Sequence, residues 1–90
     1  NNTHPYTLKT ALEKINNSLS EKLTTYHFLL FVNYYNLKYQ ERFCFKLEND
    51  SQPRYYYSQQ TIDFIVAEYS KDPKNIIENL KKKVKEIKKD

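Results

Sequence analysis

The sequence predicts an α+β domain of order α-β-β-β-α-α, with helices packed on a three-stranded antiparallel sheet across residues 1–90. Three observations predict it. Residues 26–47 hold two aromatic-rich runs joined by the polar link Asn36, Leu37, Lys38, the pattern of an antiparallel hairpin. Three consecutive tyrosines at 55–57 follow a cluster of turn formers and read as a third, short strand. The segments near 8–19, 62–69 and 76–87 carry apolar residues at helical spacing.

The first helix is expected over about residues 7–17, with Thr7 as N-cap or Pro5 in its first turn. Leu8, Ala11, Leu12 and Ile15 form its apolar stripe. Asn16, Asn17 and Ser18 offer one end point; Leu19 and Leu23 keep the phase and allow a longer helix. The sheet is expected over about residues 25–57. Phe28 to Val32 is apolar on both faces, which reads as a central strand covered on each side. From Tyr39 to Leu47 the period is two, placing Tyr39, Glu41, Phe43, Phe45 and Leu47 on one face and Gln40, Arg42, Cys44 and Lys46 on the other. Residues 48–53 are a turn, and the third strand runs from Arg54 to Tyr57 with Tyr55 and Tyr57 opposite Tyr56. A helix over about 59–70 follows the N-cap candidate Ser58. Its stripe is Ile62, Ile65, Val66 and Tyr69, widened by Phe64 and Ala67. Asp72 caps and Pro73 opens a last helix over about 73–89, in which Ile76, Ile77, Leu80, Val84 and Ile87 face a lysine-rich side. No linker is long enough to divide the chain, so it reads as a single domain.

Composition narrows the function classes. Glycine is absent, which removes Gly-rich phosphate cradles and hands left-handed turn positions to Asn36, Asn49 and Asp50. Methionine is absent too, the expectation for a piece of a longer chain. The net charge of +4 lies wholly in residues 71–90, where eight lysines face four acids; the first seventy residues hold seven basic and seven acidic groups. Cys44 is the single cysteine, and with only His4 and His27 beside it no metal quartet can be assembled. No metal or other cofactor is expected. The lone thiol points to an intracellular, nuclear or cytoplasmic, setting; the Asn-x-Ser/Thr sequons at Asn1, Asn16 and Asn49 are no more than chance supplies in a chain with nine Asn. The longest apolar run, Phe28 to Val32, is too short to span a membrane.

No nucleophile elbow or zinc signature is present. Cys44 and His27 are the only thiol–imidazole pair, and they read as a packed cysteine and a strand-edge histidine; a non-enzyme is expected. The lysines at 81, 82, 83, 85, 88 and 89 form either a solvated face favoured by the helix dipole or a phosphate-binding face, with Lys81, Lys82, Lys85 and Lys88 as its contacts. The scarcity of arginine favours the first. Tyr34, Tyr35, Tyr55 and Tyr56 exceed what a small core needs and are expected to anchor a partner. The expected function is a non-catalytic protein–protein interaction module, docking another protein or a second copy, possible globular head of a larger assembly; the alternative is a double-stranded RNA or DNA binding domain using the basic last helix.

Two resemblances accompany these readings. The order α-β-β-β-α from Thr7 to Ser70 resembles the double-stranded-RNA-binding domain, in which the second helix opens on a phosphate-gripping lysine pair; here Gln59 and Gln60 stand there. The stretch Phe43 to Leu47, Tyr55 to Tyr57, Ile62 to Phe64 and Ile76 to Val84 resembles the RWD-like globular heads of kinetochore and monopolin subunits. That resemblance implies a helix, a small antiparallel sheet and two helices, used for protein docking.

Overall fold

A computed structural model describes residues 3–47 and 54–88, with side chains to residue 85. The first helix, α1 (Leu8–Asn17), is capped by Thr7: the Thr10 amide donates to Thr7 Oγ1 at 3.3 Å and the Thr7 amide donates to Thr10 Oγ1 at 2.8 Å. This reciprocal box satisfies two amides that the first turn would otherwise leave open. Ala11 and Ile15 are buried beneath it. The helix stops at Asn17, and Leu19 and Leu23 lie in the connection that follows. Asn16 shapes that connection, since its Nδ2 donates to the Leu23 carbonyl at 3.1 Å and its Oδ1 accepts from the Leu23 amide at 2.7 Å. The Asn16 sequon therefore has a structural use for its amide; Asn1 and Asn49 lie outside the described residues.

The central element is a helix, α2 (Thr25–Tyr34), where the sequence predicts the first strand of a hairpin. Thr24 is its N-cap, accepting from the His27 amide at 3.2 Å, while the Thr24 amide donates to His27 Nδ1 at 3.3 Å. Phe28, Leu30, Phe31 and Val32 are all buried, so apolar residues recur around most of the circumference. A strand covered on both faces and a helix covered on several sides give the same unbroken apolar run, and aromatic and β-branched content then tips the reading wrongly toward a strand. Burial decides instead: α2 is packed by the last helix (Ile76–Lys88), by the turn at Leu37–Tyr39 and by α1, and its Phe28 ring meets Tyr57. Asn36 ends this region in the left-handed conformation, φ 55° and ψ 38°, which Asn tolerates better than most residues. A 3-10 turn, Leu37–Tyr39, follows, with Leu37 buried.

The sheet consequently has two strands among the described residues, not three. Strands β1 (Cys44–Leu47) and β2 (Arg54–Tyr57) pair antiparallel with Cys44 opposite Tyr57 and Leu47 opposite Arg54. Tyr6 adds one bridge, its amide donating to the Tyr57 carbonyl at 3.1 Å and its carbonyl accepting from the Tyr57 amide at 2.6 Å. The expected turn at 48–53, with Asn49 and Asp50, lies outside the described residues. Burial along β1 does not follow the expected alternation: Cys44 is buried, Phe45 half-buried, and Lys46 and Leu47 are both exposed, Leu47 at 44 %. Phe43, in the turn ahead of the strand, is buried next to Cys44, so the core end of the hairpin is covered on both sides and its far end is open.

Helix α3 (Gln59–Lys71) buries Thr61, Ile62, Ile65 and Tyr69. Ser58 is its N-cap by backbone position, but its hydroxyl donates to the Arg42 carbonyl, and the Thr61 hydroxyl donates to the Phe43 carbonyl. These two hydroxyls tie the start of α3 to the start of β1. After α3 the Asp72 carbonyl accepts from the Asn75 and Ile76 amides, Pro73 sits in the turn between, and α4 (Ile76–Lys88) begins. The α+β class thus holds, with four α-helices and a two-stranded sheet among the described residues. Phe28 meets Tyr57 edge-on at 5.2 Å and Tyr35 meets Phe64 edge-on at 4.9 Å, which couples α2 to β2 and to α3.

Candidate nucleic-acid interface

Helix α4 packs on α2 through Leu80, which is buried, and the half-buried Ile76, Ile77 and Val84. Helical spacing sets where its lysines fall. Lys82 and Lys85 lie opposite that stripe and are exposed, while Lys81 and Lys83 flank it on its two sides. Both flanking lysines lie over tyrosines of α2: Lys81 Nζ is 5.8 Å from the Tyr26 ring centre and Lys83 Nζ is 5.5 Å from that of Tyr34. Lys81 also approaches Glu78 at 3.6 Å. The Lys88 backbone closes α4, and its side chain lies outside the described residues.

His27 stands beside this surface. Burial and then the Lys81 ammonium hold it below the ordinary histidine value, which keeps Nδ1 free to accept the Thr24 amide. Tyr35 is differently committed. Its hydroxyl donates to Glu68 Oε1 at 3.1 Å, and burial followed by that bond raises it to about 12. Glu68 is held low, first by the Lys71 ammonium at 2.6 Å and also by Tyr35. Tyr34 packs edge-on against Tyr35 at 4.8 Å. Tyr55 and Tyr56 are half-buried on β2, and among the described residues no ring contact joins them to Tyr34 and Tyr35.

Cys44 and His27 serve separate structures. Cys44 lies in the core opposite Tyr57, and burial lifts its thiol to about 11, far from the thiolate a nucleophile needs. Native protein at pH 8 is accordingly expected to react with a thiol reagent far more slowly than unfolded protein, as a simple absorbance assay would measure; equal rates would place the thiol outside the core. Gln59, where the RNA-binding resemblance has a lysine, accepts from the Tyr6 hydroxyl at 3.1 Å and donates to Asp63 at 3.0 Å. It is built into the α1–α3 surface.

Tyr26 is a surface residue that the sequence pattern alone does not mark. Placed in a strand, it had no helical neighbours; on α2 it shares a solvent face with Leu29 and Asn33, at spacings of three and seven. The Thr24 and His27 capping pair and the ten-residue length of the run were the signals for a helix there.

The fold and this surface define an α+β domain with a lysine-bearing terminal helix braced on an aromatic one. The chain belongs to the EC042_2821-like restriction endonuclease-like domain family, which it matches over residues 1–81. No curated protein and no solved structure matches it. The family corrects both resemblances, RWD-like and double-stranded-RNA-binding, and the physical reason is α2: each needs a strand where residues 25–34 are helical. It also overturns the expectations of a non-enzyme and of a non-catalytic protein-docking module, since the family is of endonuclease type.

Nucleases commonly place divalent cations among clustered carboxylates. Among the described residues no group of three or more His, Cys, Asp or Glu could hold a metal ion, so these residues do not fit such a centre. No helix among them is long and apolar enough to cross a membrane.

Proposed function

We propose that this domain works on nucleic acid in the service of an endonuclease-type protein, holding the phosphate backbone against α4. The observation that carries the reading is the solvent side of that helix, where Lys81, Lys82, Lys83 and Lys85 occur within five residues while the first seventy residues are charge-neutral. Lysine is a compact point charge without the fork that reads guanine or clamps phosphate in two places. The grip is therefore expected to be indifferent to sequence and dominated by counterion release. Nucleic acid replaces protein as the partner. The described residues bind and orient; bond cleavage is not assigned to any of them.

Titration of the domain with duplex DNA at two salt concentrations tests this. With about four phosphates neutralised, affinity should fall about a hundredfold between roughly 50 and 200 mM salt. Absence of binding at the lower salt, or binding indifferent to salt, would sink the reading.

A further inference from the structure

We infer that the α2–α4 surface seats an unpaired nucleotide, with Tyr26 as the platform on which its base stacks. The inference rests on the phosphate-binding reading of α4 and adds the substrate class. Tyr26 is 56 % exposed on a helix whose two phenylalanines are buried and whose Tyr34 is half-buried, and Leu29, one turn on, is 37 % exposed and extends the same apolar face. Solvent alone would favour polar residues at two such positions. Lys81 Nζ lies over the Tyr26 ring, 5.8 Å from its centre, so a cation covers one ring face and a base would take the other. Tyr26 is also the second residue of α2, where the helix presents its positive end. An aromatic face bordered by lysine is the arrangement that holds single strands: the ring takes a base and the ammonium its phosphate.

A paired duplex keeps its base faces stacked inside the helix, out of reach of a surface ring. The platform can be used only by a nucleotide that is single-stranded, frayed or at a junction. This separates the role of Tyr26 from that of the lysines, which act on any backbone.

The test uses the full chain and three labelled probes of one length, oligothymidylate, oligouridylate and blunt duplex DNA, in about 50 mM salt. Tyr26→Ala should weaken binding of a single-stranded probe about tenfold and leave duplex binding within about twofold, while Tyr26→Phe, which keeps the stacking ring, should bind like the unaltered protein. Loss confined to oligothymidylate assigns unpaired DNA, and loss confined to oligouridylate assigns unpaired RNA. Unchanged single-strand affinity in Tyr26→Ala, or an equal loss on duplex, overturns the platform while leaving the lysine reading standing. Failure of the unaltered protein to bind any probe overturns both.

Discussion

Replacing Lys81, Lys82 and Lys85 together with glutamate is expected to lower affinity for duplex DNA by about a hundredfold or more at low salt. Each replacement removes a phosphate contact and puts a like charge in its place. The fold should tolerate the change. Lys82 and Lys85 are exposed, and Lys81 gives up a 3.6 Å surface contact with Glu78 and its place over the exposed Tyr26 ring, kinds of contact that each contribute little at a surface. A new repulsion between Glu78 and position 81 costs a few tenths of a kcal/mol, on the order expected for like charges on one helix face. Far-ultraviolet circular dichroism and thermal melting separate the two effects: helicity and Tm stay close to those of the unaltered domain while binding is lost. Binding that survives the triple reversal would move the interface away from α4.

The largest effect on stability is expected from Phe28→Ala. Phe28 is completely buried, packs edge-on against Tyr57 at 5.2 Å, and joins α2 to β2. Removing a ring from such a site costs about 3–5 kcal/mol, lost transfer energy plus the cavity left behind. A small domain has about 5–15 kcal/mol in total, so Tm should fall by about 15 °C or more. A shift below about 5 °C would mean that the Phe28 ring is not the joint between helix and sheet.

The sequence displays α3 as a helix and hides α2 because of how each is covered. In α3 the buried residues Ile62, Ile65 and Tyr69 recur on one side and exposed Gln60, Asp63 and Ser70 on the other, so the sequence itself carries the helical period. In α2 the neighbours close over most of the surface, and Phe28, Leu30, Phe31 and Val32 erase that period. What remained legible was local chemistry. Thr7 was readable as a cap, Asn36 as a left-handed position in a chain without glycine, and Arg54 to Tyr57 as a strand. The buried hydroxyl bonds of Ser58 and Thr61 to the Arg42 and Phe43 carbonyls were not readable, because they join residues that only the folded hairpin brings together.

The surface was legible by halves for the same reason. The lysines of α4 announce themselves as a charge run, and the helical period places Lys82 and Lys85 outward without any structure. Tyr26 could be paired with Lys81 only after α2 was known to be a helix lying under α4. Tyr35, expected among the partner-binding rings, has its hydroxyl occupied by Glu68, a bond across 33 positions of sequence that no local pattern marks. The restriction endonuclease-like family is carried by residues 1–81 as a whole and not by a motif, and the described residues hold no cluster of carboxylates that would announce it.

Helix α4 is proposed to hold a nucleic-acid backbone by releasing counterions. The most direct measurement is the slope of log affinity against log salt for duplex DNA, taken for the unaltered domain and for the Lys82→Glu and Lys85→Glu single variants. A slope of about −3 to −4 is expected, reduced by about one in each variant, with little dependence on DNA sequence. A slope near zero, or one that neither substitution changes, would contradict it.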